Sequence, residues 1–318
     1  MARRVVGNKV KAGLKVMAYG DTGSGKSFFG LTAPNSFAID TESGLLWYEG
    51  EDIEIGGKTY NNLKMINTTQ DLDELEQDLD DLLEGELEGI ETIIIDSVSR
   101  FHDSITLACL ADAEKKAKQN GKTVDTRGAY GVVKKITTKL QLALLTASAK
   151  GIHVIEVCQQ KQIEDEKTKE KSIIPACHAT VPYDMDIILY FQTKVNKQTK
   201  ETEYFAITQK DRTGLTKKGQ ITQNATFDLW LDKINKRGAT ITSDMNFRKD
   251  FENTSKNVED DIDKAERLVA EIKEQIKAKT NKADIKKKLD EKGVDIKNMV
   301  ATDVKILNEV LEYIKTLD

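Results

Sequence analysis

Runs of consecutive apolar residues along the first 160 positions predict strands that are buried on both faces. The clearest is Thr92-Ile93-Ile94-Ile95-Asp96, where β-branched residues occupy consecutive positions. Similar runs predict strands over residues 14–19, 36–40 and 151–158. Helical patterns separate these strands, and we therefore predict an α/β fold with a mainly parallel sheet and helices on both faces.

Helical periodicity and turn signals place the other elements of this region. Helices are predicted over residues 98–120, 132–150 and 227–235, with a break at 127–131 between the first two. Gly56-Gly57 indicates a hairpin. Residues 161–182 show little periodicity and are interpreted as a long loop, with a hairpin as an alternative. The runs 187–191 and 204–208 are expected to pair antiparallel around a polar turn at 196–200.

An acidic segment between residues 70 and 91 has no Lys or Arg, yet leucines recur in it at helical spacing. We interpret it as an amphipathic surface helix with a solvated acidic face. An acidic recognition surface is the alternative.

The composition changes from about residue 255, where Lys, Glu and Asp dominate and apolar residues recur every three or four positions. Apolar stripes on the last two predicted helices need burial and favour a small three-helix appendage. The alternative is one solvated helix with a frayed tail. The stripe residues are Ile285 and Leu289 on one helix, and Val304, Leu307, Val310, Leu311 and Ile314 on the other. We therefore divide the chain into a basic amino-terminal arm (1–12), an α/β core (13–240), a linker (241–254) and a carboxyl-terminal helical module (255–318).

Composition narrows the class of protein. The 318 residues carry a net charge of −5, and so no global basic field indicates nucleic-acid binding, although a local basic groove remains compatible with it. No apolar run approaches the roughly 20 residues that span a bilayer. We expect a cytoplasmic protein with no membrane partner.

The motif G-x-x-x-x-G-K-S at residues 20–27 predicts a phosphate-binding loop between a strand and a helix. Its glycines let successive main-chain N–H groups point at phosphate oxygens. Lys26 is expected to reach the β- and γ-phosphates, and the Ser27 hydroxyl to bind Mg²⁺. The predicted ATP-binding residues are Gly20, Asp21, Thr22, Gly23, Ser24, Gly25, Lys26, Ser27 and Phe28.

Three further positions supply what hydrolysis needs besides the phosphate loop. Asp96 ends a buried strand and is predicted to hold Mg²⁺, with strand capping as the alternative. Asp96 is followed by Ser97 rather than by a second acid, and Glu42 is therefore the candidate that polarises water; a surface carboxylate is its alternative. Gln159 or Gln160, at the end of the next strand, is predicted to sense the γ-phosphate.

These segments together resemble the core of the RecA-type recombinases. The resemblance rests on three segments: Ala38-Ile39-Asp40-Thr41-Glu42-Ser43-Gly44-Leu45, Ile94-Ile95-Asp96-Ser97-Val98-Ser99 and the strand that ends in Gln. In that family the catalytic Glu follows the second strand, and a Gln links nucleotide state to a DNA-binding loop. More closely, the chain is similar to the short RecA-like ATPases of bacteriophages that have single-strand annealing activity.

The resemblance covers roughly residues 12–235 and implies further roles. Gln209-Lys210-Asp211-Arg212 resembles the Lys-x-Arg motif of RecA-fold motors, in which both cations reach the γ-phosphate of the neighbouring subunit. This implies self-association into a ring or filament. By position, the loop at 161–182 and the break at 127–131 match the DNA-binding loops. The implied contacts to single-stranded DNA are Arg127, Tyr130, Lys161, Lys167, Lys169 and Lys171.

The sequence thus predicts an ATP- and Mg²⁺-dependent protein that binds single-stranded DNA and acts in recombination or annealing. The first alternative is a RecA-fold helicase or helicase loader. The second is a non-motor module that binds ATP structurally and recruits a partner, for example a single-strand-binding protein, through its carboxyl-terminal helices.

Overall fold

The elements follow one another in the order that the apolar runs predict. The computed structural model describes residues 12–166, 168–236, 245–278, 281–295, 299 and 302–317. Strands β1 to β11 span Lys15–Gly20, Ser36–Asp40, Ile53–Ile55, Lys58–Tyr60, Leu63–Asn67, Thr92–Asp96, His153–Glu164, Lys171–Pro175, Ile187–Val195, Thr202–Asp211 and Ile221–Gln223. Helices α1 to α9 span Lys26–Leu31, Leu72–Glu84, Val98–Asn120, Thr126–Ala149, Val181–Asp184, Asp228–Asn235, Phe247–Ala278, Lys282–Glu291 and Val304–Lys315, and a 3₁₀ helix spans Leu45–Tyr48.

The main sheet has the strand order β11-β10-β9-β1-β7-β6-β2-β5. The strands from β9 to β5 in this order are parallel, whereas β10 and β11 continue the sheet antiparallel. The carboxyl ends of β1, β2, β6 and β7 therefore meet at one edge, and the residues that follow these strands come together there.

Side chains alternate between the two faces of the sheet. On β1, Val16 and Ala18 pack into a core with α1 and α6, whereas Met17 and Tyr19 pack on the opposite face with α2, α3 and α4. The central strands are buried on both faces, which is why their sequences are almost continuously apolar. The predicted fold class, a mostly parallel α/β sheet with helices on both faces, is confirmed.

The predicted break at residues 127–131 is wrong, because α4 begins at Thr126 and includes them. The Asp125 carboxylate caps this helix by accepting the main-chain N–H of Gly128 at 2.8 Å. A Cβ at Gly128 would lie 2.3 Å from an Asp125 carboxylate oxygen. The glycine therefore makes room for the cap and does not break the helix.

The interpretation of residues 161–182 as a long loop is also corrected. Strand β7 continues to Glu164 and pairs antiparallel with β8, so that a two-stranded hairpin extends from the sheet. Asp165 shapes its turn, because its carboxylate accepts the main-chain N–H of Thr168 at 2.8 Å. The hairpin that the sequence analysis gives as an alternative is thus present.

The second compact unit, Arg248–Asp318, consists of helices with a core of their own. Leu307, Val310, Leu311 and Ile314 are buried in it, as their periodicity predicts. Helix α7 already begins at Phe247, and residues 247–254 of the predicted linker are therefore helical. No helix in the described ranges is long and apolar enough to cross a membrane.

Candidate nucleotide-binding site

The phosphate loop lies between the end of β1 and the start of α1, as the motif requires. Gly23 (φ 71°) and Gly25 (φ 96°) adopt left-handed conformations that strain any other residue. A Cβ at Gly20 would lie 2.3 Å from the main-chain oxygen of Phe191 on β9. These glycines let the loop curl tightly at the carboxyl edge of the sheet.

Lys26, the first residue of α1, turns back over the loop. Its ammonium group donates to the main-chain oxygen of Asp21 at 2.7 Å and to the Ser24 hydroxyl at 3.4 Å. Burial lowers the pKa of Lys26, while the nearby carboxylates of Asp96, Asp21 and Glu42 act in the opposite direction. The amine thus sits among acceptors that a phosphate group can replace.

Ser27 and Asp96 meet directly, since the Ser27 hydroxyl donates to Asp96 Oδ2 at 2.5 Å. Burial raises the pKa of Asp96 to about 6, and the charges of Glu42 and Asp40 add to this effect. The pair is an all-oxygen donor set of the kind that Mg²⁺ prefers. It is also placed between the phosphate loop and β6, as a bound Mg²⁺–nucleotide requires. These residues therefore fit the metal.

Glu42 lies at the same edge, two residues beyond the end of β2. Its Oε1 accepts hydrogen bonds from the Ser97 hydroxyl at 2.9 Å and from Gln159 Nε2 at 3.0 Å, and Arg100 Nε lies 3.4 Å away. Three residues, from the start of α3 and from β7, thus fix the position of this half-exposed carboxylate beside Asp96.

Asp40 is a residue whose importance the sequence analysis missed. Its buried carboxylate accepts the main-chain N–H groups of Glu42 (3.1 Å), Gly44 (3.2 Å) and Leu45 (2.8 Å). These bonds fold the segment after β2 into a compact turn, and this turn presents Glu42 to the site. An Asp two residues before the candidate Glu was the available signal.

Gln159 is the glutamine of the predicted pair that contacts Glu42. Its main-chain N–H also donates to the Ser99 hydroxyl at 2.9 Å, so that β7 is tied to the start of α3. Gln160 Oε1 is buried and has no hydrogen-bond partner in the described structure. The two glutamines therefore occupy different environments, although the sequence analysis could not distinguish them.

Lys210 and Arg212 lie at the opposite edge of the sheet. Because β10 runs antiparallel to β9, its last residues reach the amino ends of the parallel strands, about 20 Å from the loop that follows Gly20. Lys210 Nζ and Arg212 Nη2 donate to the main-chain oxygen of Tyr183 at 3.1 and 3.0 Å, and Arg212 also pairs with Asp186 at 3.4 Å. These cations are therefore remote from the phosphate loop of their own chain.

The candidate DNA contacts of the long segment lie on the β7–β8 hairpin. Lys161, Lys169 and Lys171 are exposed, and Lys169 forms an ion pair with Glu164 at 3.5 Å. Lys167 lies outside the described residues. Acidic neighbours therefore offset part of the positive charge of the hairpin, as the sequence suggests.

The other two DNA candidates, Arg127 and Tyr130, lie on the first turns of α4 and not in a loop. Both side chains are exposed, the tyrosine by 56%. They therefore belong to a rigid helical surface.

A second cavity adjoins the phosphate loop and contains residues that the sequence analysis missed. The cavity at the loop has a volume of 270 Å³, and its neighbour has 360 Å³; both are lined by Gly25, Phe28 and Tyr204. Asn224 also lines the larger one. Local patterns could not reveal Tyr204 and Asn224, because pairing of distant strands brings them to the loop.

Three comparisons relate the chain to known proteins. The family described as an AAA domain matches residues 12–219. A KaiC-like protein from the hyperthermophilic archaeon Pyrococcus horikoshii OT3 aligns with 67% of this chain and 84% of its own length, at 13% identity and a TM-score of 0.35. No curated protein matches the sequence.

Proposed function

The chain belongs to the AAA domain family of P-loop ATPases, and on that premise we propose that it hydrolyses ATP with Mg²⁺ while bound to single-stranded DNA. Its role is recombination or strand annealing, as in the bacteriophage RecA-like ATPases that its sequence resembles, in the cytoplasm of the host cell. Neighbouring subunits complete each site.

The observation that carries the ATPase proposal is the 2.5 Å contact between Ser27 and Asp96 beside the anchored Glu42. Lys26 neutralises charge on the β- and γ-phosphates, since its present acceptors are neutral oxygens that phosphate replaces. Glu42 orients the attacking water, and the hydrogen bonds from Ser97 and Gln159 hold its carboxylate in place.

The groups at the phosphate loop and at Asp96 are of the chemical kind that binds ATP and Mg²⁺. Mg²⁺ would be held by Ser27 and Asp96, where it would neutralise charge on the phosphate oxygens. The nucleobase occupies the 360 Å³ cavity, where Tyr204 and Phe28 supply aromatic surfaces and Asn224 supplies a polar edge.

Completion by a neighbour is supported by the position of Lys210 and Arg212. Because they lie at the amino edge of the sheet, a head-to-tail arrangement of subunits brings them to the carboxyl edge of the next copy. Arg212 is half exposed, and its planar donor fork suits phosphate oxygens. Such an interface repeats, giving a ring or a filament.

In this proposal, single-stranded DNA lies along the β7–β8 hairpin and α4. Lys161, Lys169, Lys171 and Arg127 offer positive charge, and Tyr130 offers an exposed ring for base stacking. The helical unit that begins at Arg248 binds a partner such as a single-strand-binding protein.

The test compares Lys26→Ala and Glu42→Gln with the parent protein. We expect Lys26→Ala to raise the Kd of ATP at least roughly tenfold, because a phosphate loses its ammonium donor. Glu42→Gln should retain ATP binding and lower kcat by about 10²- to 10³-fold. Isothermal titration and steady-state phosphate release, with and without oligo(dT), measure these effects.

The outcomes also separate the alternatives. Unchanged ATP affinity in Lys26→Ala contradicts the nucleotide site. Annealing that survives in Glu42→Gln favours the non-motor module, and directional unwinding of a tailed duplex by a ring of fixed size favours a helicase.

A further inference from the structure

Two histidine rings pack together beside the Gln159 end of the nucleotide site, and two lysines from other segments lie near enough to influence the charge of His178. His102 lies on α3, Lys134 on α4, Lys161 on the β7–β8 hairpin, and His178 follows β8. The two imidazole rings are 6.1 Å apart between centroids, at an interplanar angle of 72°. We propose that this cluster, here called the His–Lys cluster, binds a phosphate group of the single-stranded DNA backbone.

The fold holds the cluster at this edge of the sheet. Ser99, one turn before His102, accepts the main-chain N–H of Gln159 at 2.9 Å. Ala176, two residues before His178, donates its main-chain N–H to the Gln159 oxygen at 2.8 Å. The histidines are thus positioned by the same residue that contacts Glu42.

The imidazoles have unused hydrogen-bonding capacity. His178 Nδ1 accepts the main-chain N–H of Thr180 at 3.4 Å and lies 2.8 Å from the hydroxyl of that residue, which leaves Nε2 to carry the hydrogen of the neutral ring. His102 Nδ1 is buried and has no partner in the described structure. Both rings can therefore take up a proton.

The charges around the cluster are mainly positive. Burial lowers the pKa of His178, and Lys134 and Lys161 lower it further. Burial likewise lowers the pKa of His102; His178 and Lys161 act in the same direction, and Asp103 opposes them. Both lysines are exposed, and neither has an ion pair within the described ranges. An anion that binds here removes the repulsion between these cations.

The ligand that fits the His–Lys cluster is a backbone phosphodiester of single-stranded DNA, and the DNA continues from there along α4. Arg127, Tyr130 and Lys134 are spaced by three and four residues and therefore share one face of the helix. This face extends from the His–Lys cluster toward an exposed aromatic ring, the combination that binds single strands without sequence preference. The choice of a strand over free phosphate rests on the proposed function.

Anion binding at this cluster is coupled to proton uptake, because a negative charge raises the pKa of both imidazoles. Affinity for oligo(dT) should therefore increase as pH falls from 8 toward 6. Each proton that is taken up on binding contributes an increase of up to about tenfold per pH unit. Glutamine cannot titrate in this range, and the double variant His102→Gln/His178→Gln should bind with little pH dependence.

The experiment measures fluorescence anisotropy of labelled oligo(dT) against pH, at fixed ionic strength, for the parent and the double variant. Lys134→Gln should reduce the slope of log Kd against log salt by about 0.7. Lys135→Gln, which removes the neighbouring exposed charge of the same helix, is the matched control and should leave the pH dependence unchanged. Proton NMR titration of the parent imidazoles, with oligo(dT) or with inorganic phosphate, follows the two pKa values directly and needs no variant.

Each result decides between defined possibilities. A rise in the histidine pKa values with oligo(dT) supports the proposal, and a rise with inorganic phosphate alone supports an anion site but contradicts the strand. If oligo(dT) binds and the histidine pKa values stay constant, the His–Lys cluster is overturned while the proposed function stands. If oligo(dT) does not bind at any pH, the DNA part of the proposed function fails, whatever phosphate does.

Discussion

At the scale of single residues, the site is a group of acidic oxygens held close together around one lysine. Asp96 is buried next to Glu42 and Asp40. Burial, together with these two neighbouring charges, raises the pKa of Asp96 to about 6. In the absence of a cation, an ionised Asp96 therefore costs stability at neutral pH. The arrangement favours the binding of positive charge at the expense of folding free energy.

Replacement of Asp96 by Asn should reveal this cost. The folded-state pKa of Asp96 lies above its ordinary value of 3.8, so the unfavourable effect is absent below pH 4 and complete once pH exceeds the folded value. In metal-free buffer at pH 7.5 we expect Asp96→Asn to unfold with a free energy about 1 to 3 kcal/mol higher than the parent. The difference should vanish near pH 4.

Urea denaturation at several pH values, in the presence of a chelator, measures this difference. A variant that is less stable than the parent at pH 7.5 would show that the hydrogen bond from Ser27 outweighs desolvation. Magnesium should stabilise the parent and leave the variant unchanged, because only the parent has the carboxylate.

Local spacing predicted the candidate residues that the fold brings to one edge of the sheet. The loop from Gly20 to Ser27, Asp96 and Glu42 all follow core strands, and parallel strands bring their carboxyl ends together. Tyr204 and Asn224 were not predicted to line the site, because nothing near them in the sequence indicates that β10 and β11 reach the phosphate loop. Asp40 escaped because a strand-terminal carboxylate can serve many purposes.

At the scale of elements, β7 connects the nucleotide site with the candidate DNA surface. The strand runs without interruption from the core, through Gln159, to Glu164 on the hairpin. Its side chain at Gln159 touches Glu42, and its main chain bonds to Ser99 and Ala176. We therefore expect a change at the γ-phosphate to alter the hairpin through this one continuous element.

Gln159→Ala should separate the two activities. Without the amide, Glu42 loses one of its donors, and the side-chain link between Glu42 and β7 is lost. We expect basal ATP hydrolysis to fall a few-fold and stimulation by oligo(dT) to disappear, which steady-state assays measure. Gln162→Ala, three residues further along the same strand and exposed, is the control and should retain stimulation. Full stimulation in Gln159→Ala would contradict the coupling.

Two element predictions failed for identifiable reasons. Gly128 and Gly131 suggested a break, yet the Asp125 cap starts the helix earlier and needs a residue without Cβ at Gly128. The mixed-charge segment after Gln160 lacked a clear pattern, because a two-stranded hairpin that extends from the sheet buries little apolar surface. Strands and helices with a buried face were predicted well, since burial is what creates their periodicity.

At the scale of the whole molecule, the direction of β10 separates the two groups of residues that we propose for ATP hydrolysis. The phosphate loop, Asp96 and Glu42 lie at the carboxyl edge of the parallel strands, and Lys210 and Arg212 lie at the amino edge. One copy cannot bring both to the same nucleotide. The sequence predicted both groups of residues, but the distance between them depends on strand order and became clear only from the fold.

The most direct test of completion by a neighbouring subunit is a mixing experiment with two inactive proteins. Lys26→Ala lacks the phosphate-loop amine, and Arg212→Ala lacks the cation offered to the neighbour. Each alone should hydrolyse ATP at least about 10²-fold more slowly than the parent. A 1:1 mixture should regain activity at roughly a quarter of its interfaces, where an intact loop meets an intact Arg212. An unchanged rate in Arg212→Ala alone, or no recovery in the mixture, would contradict a site shared between subunits.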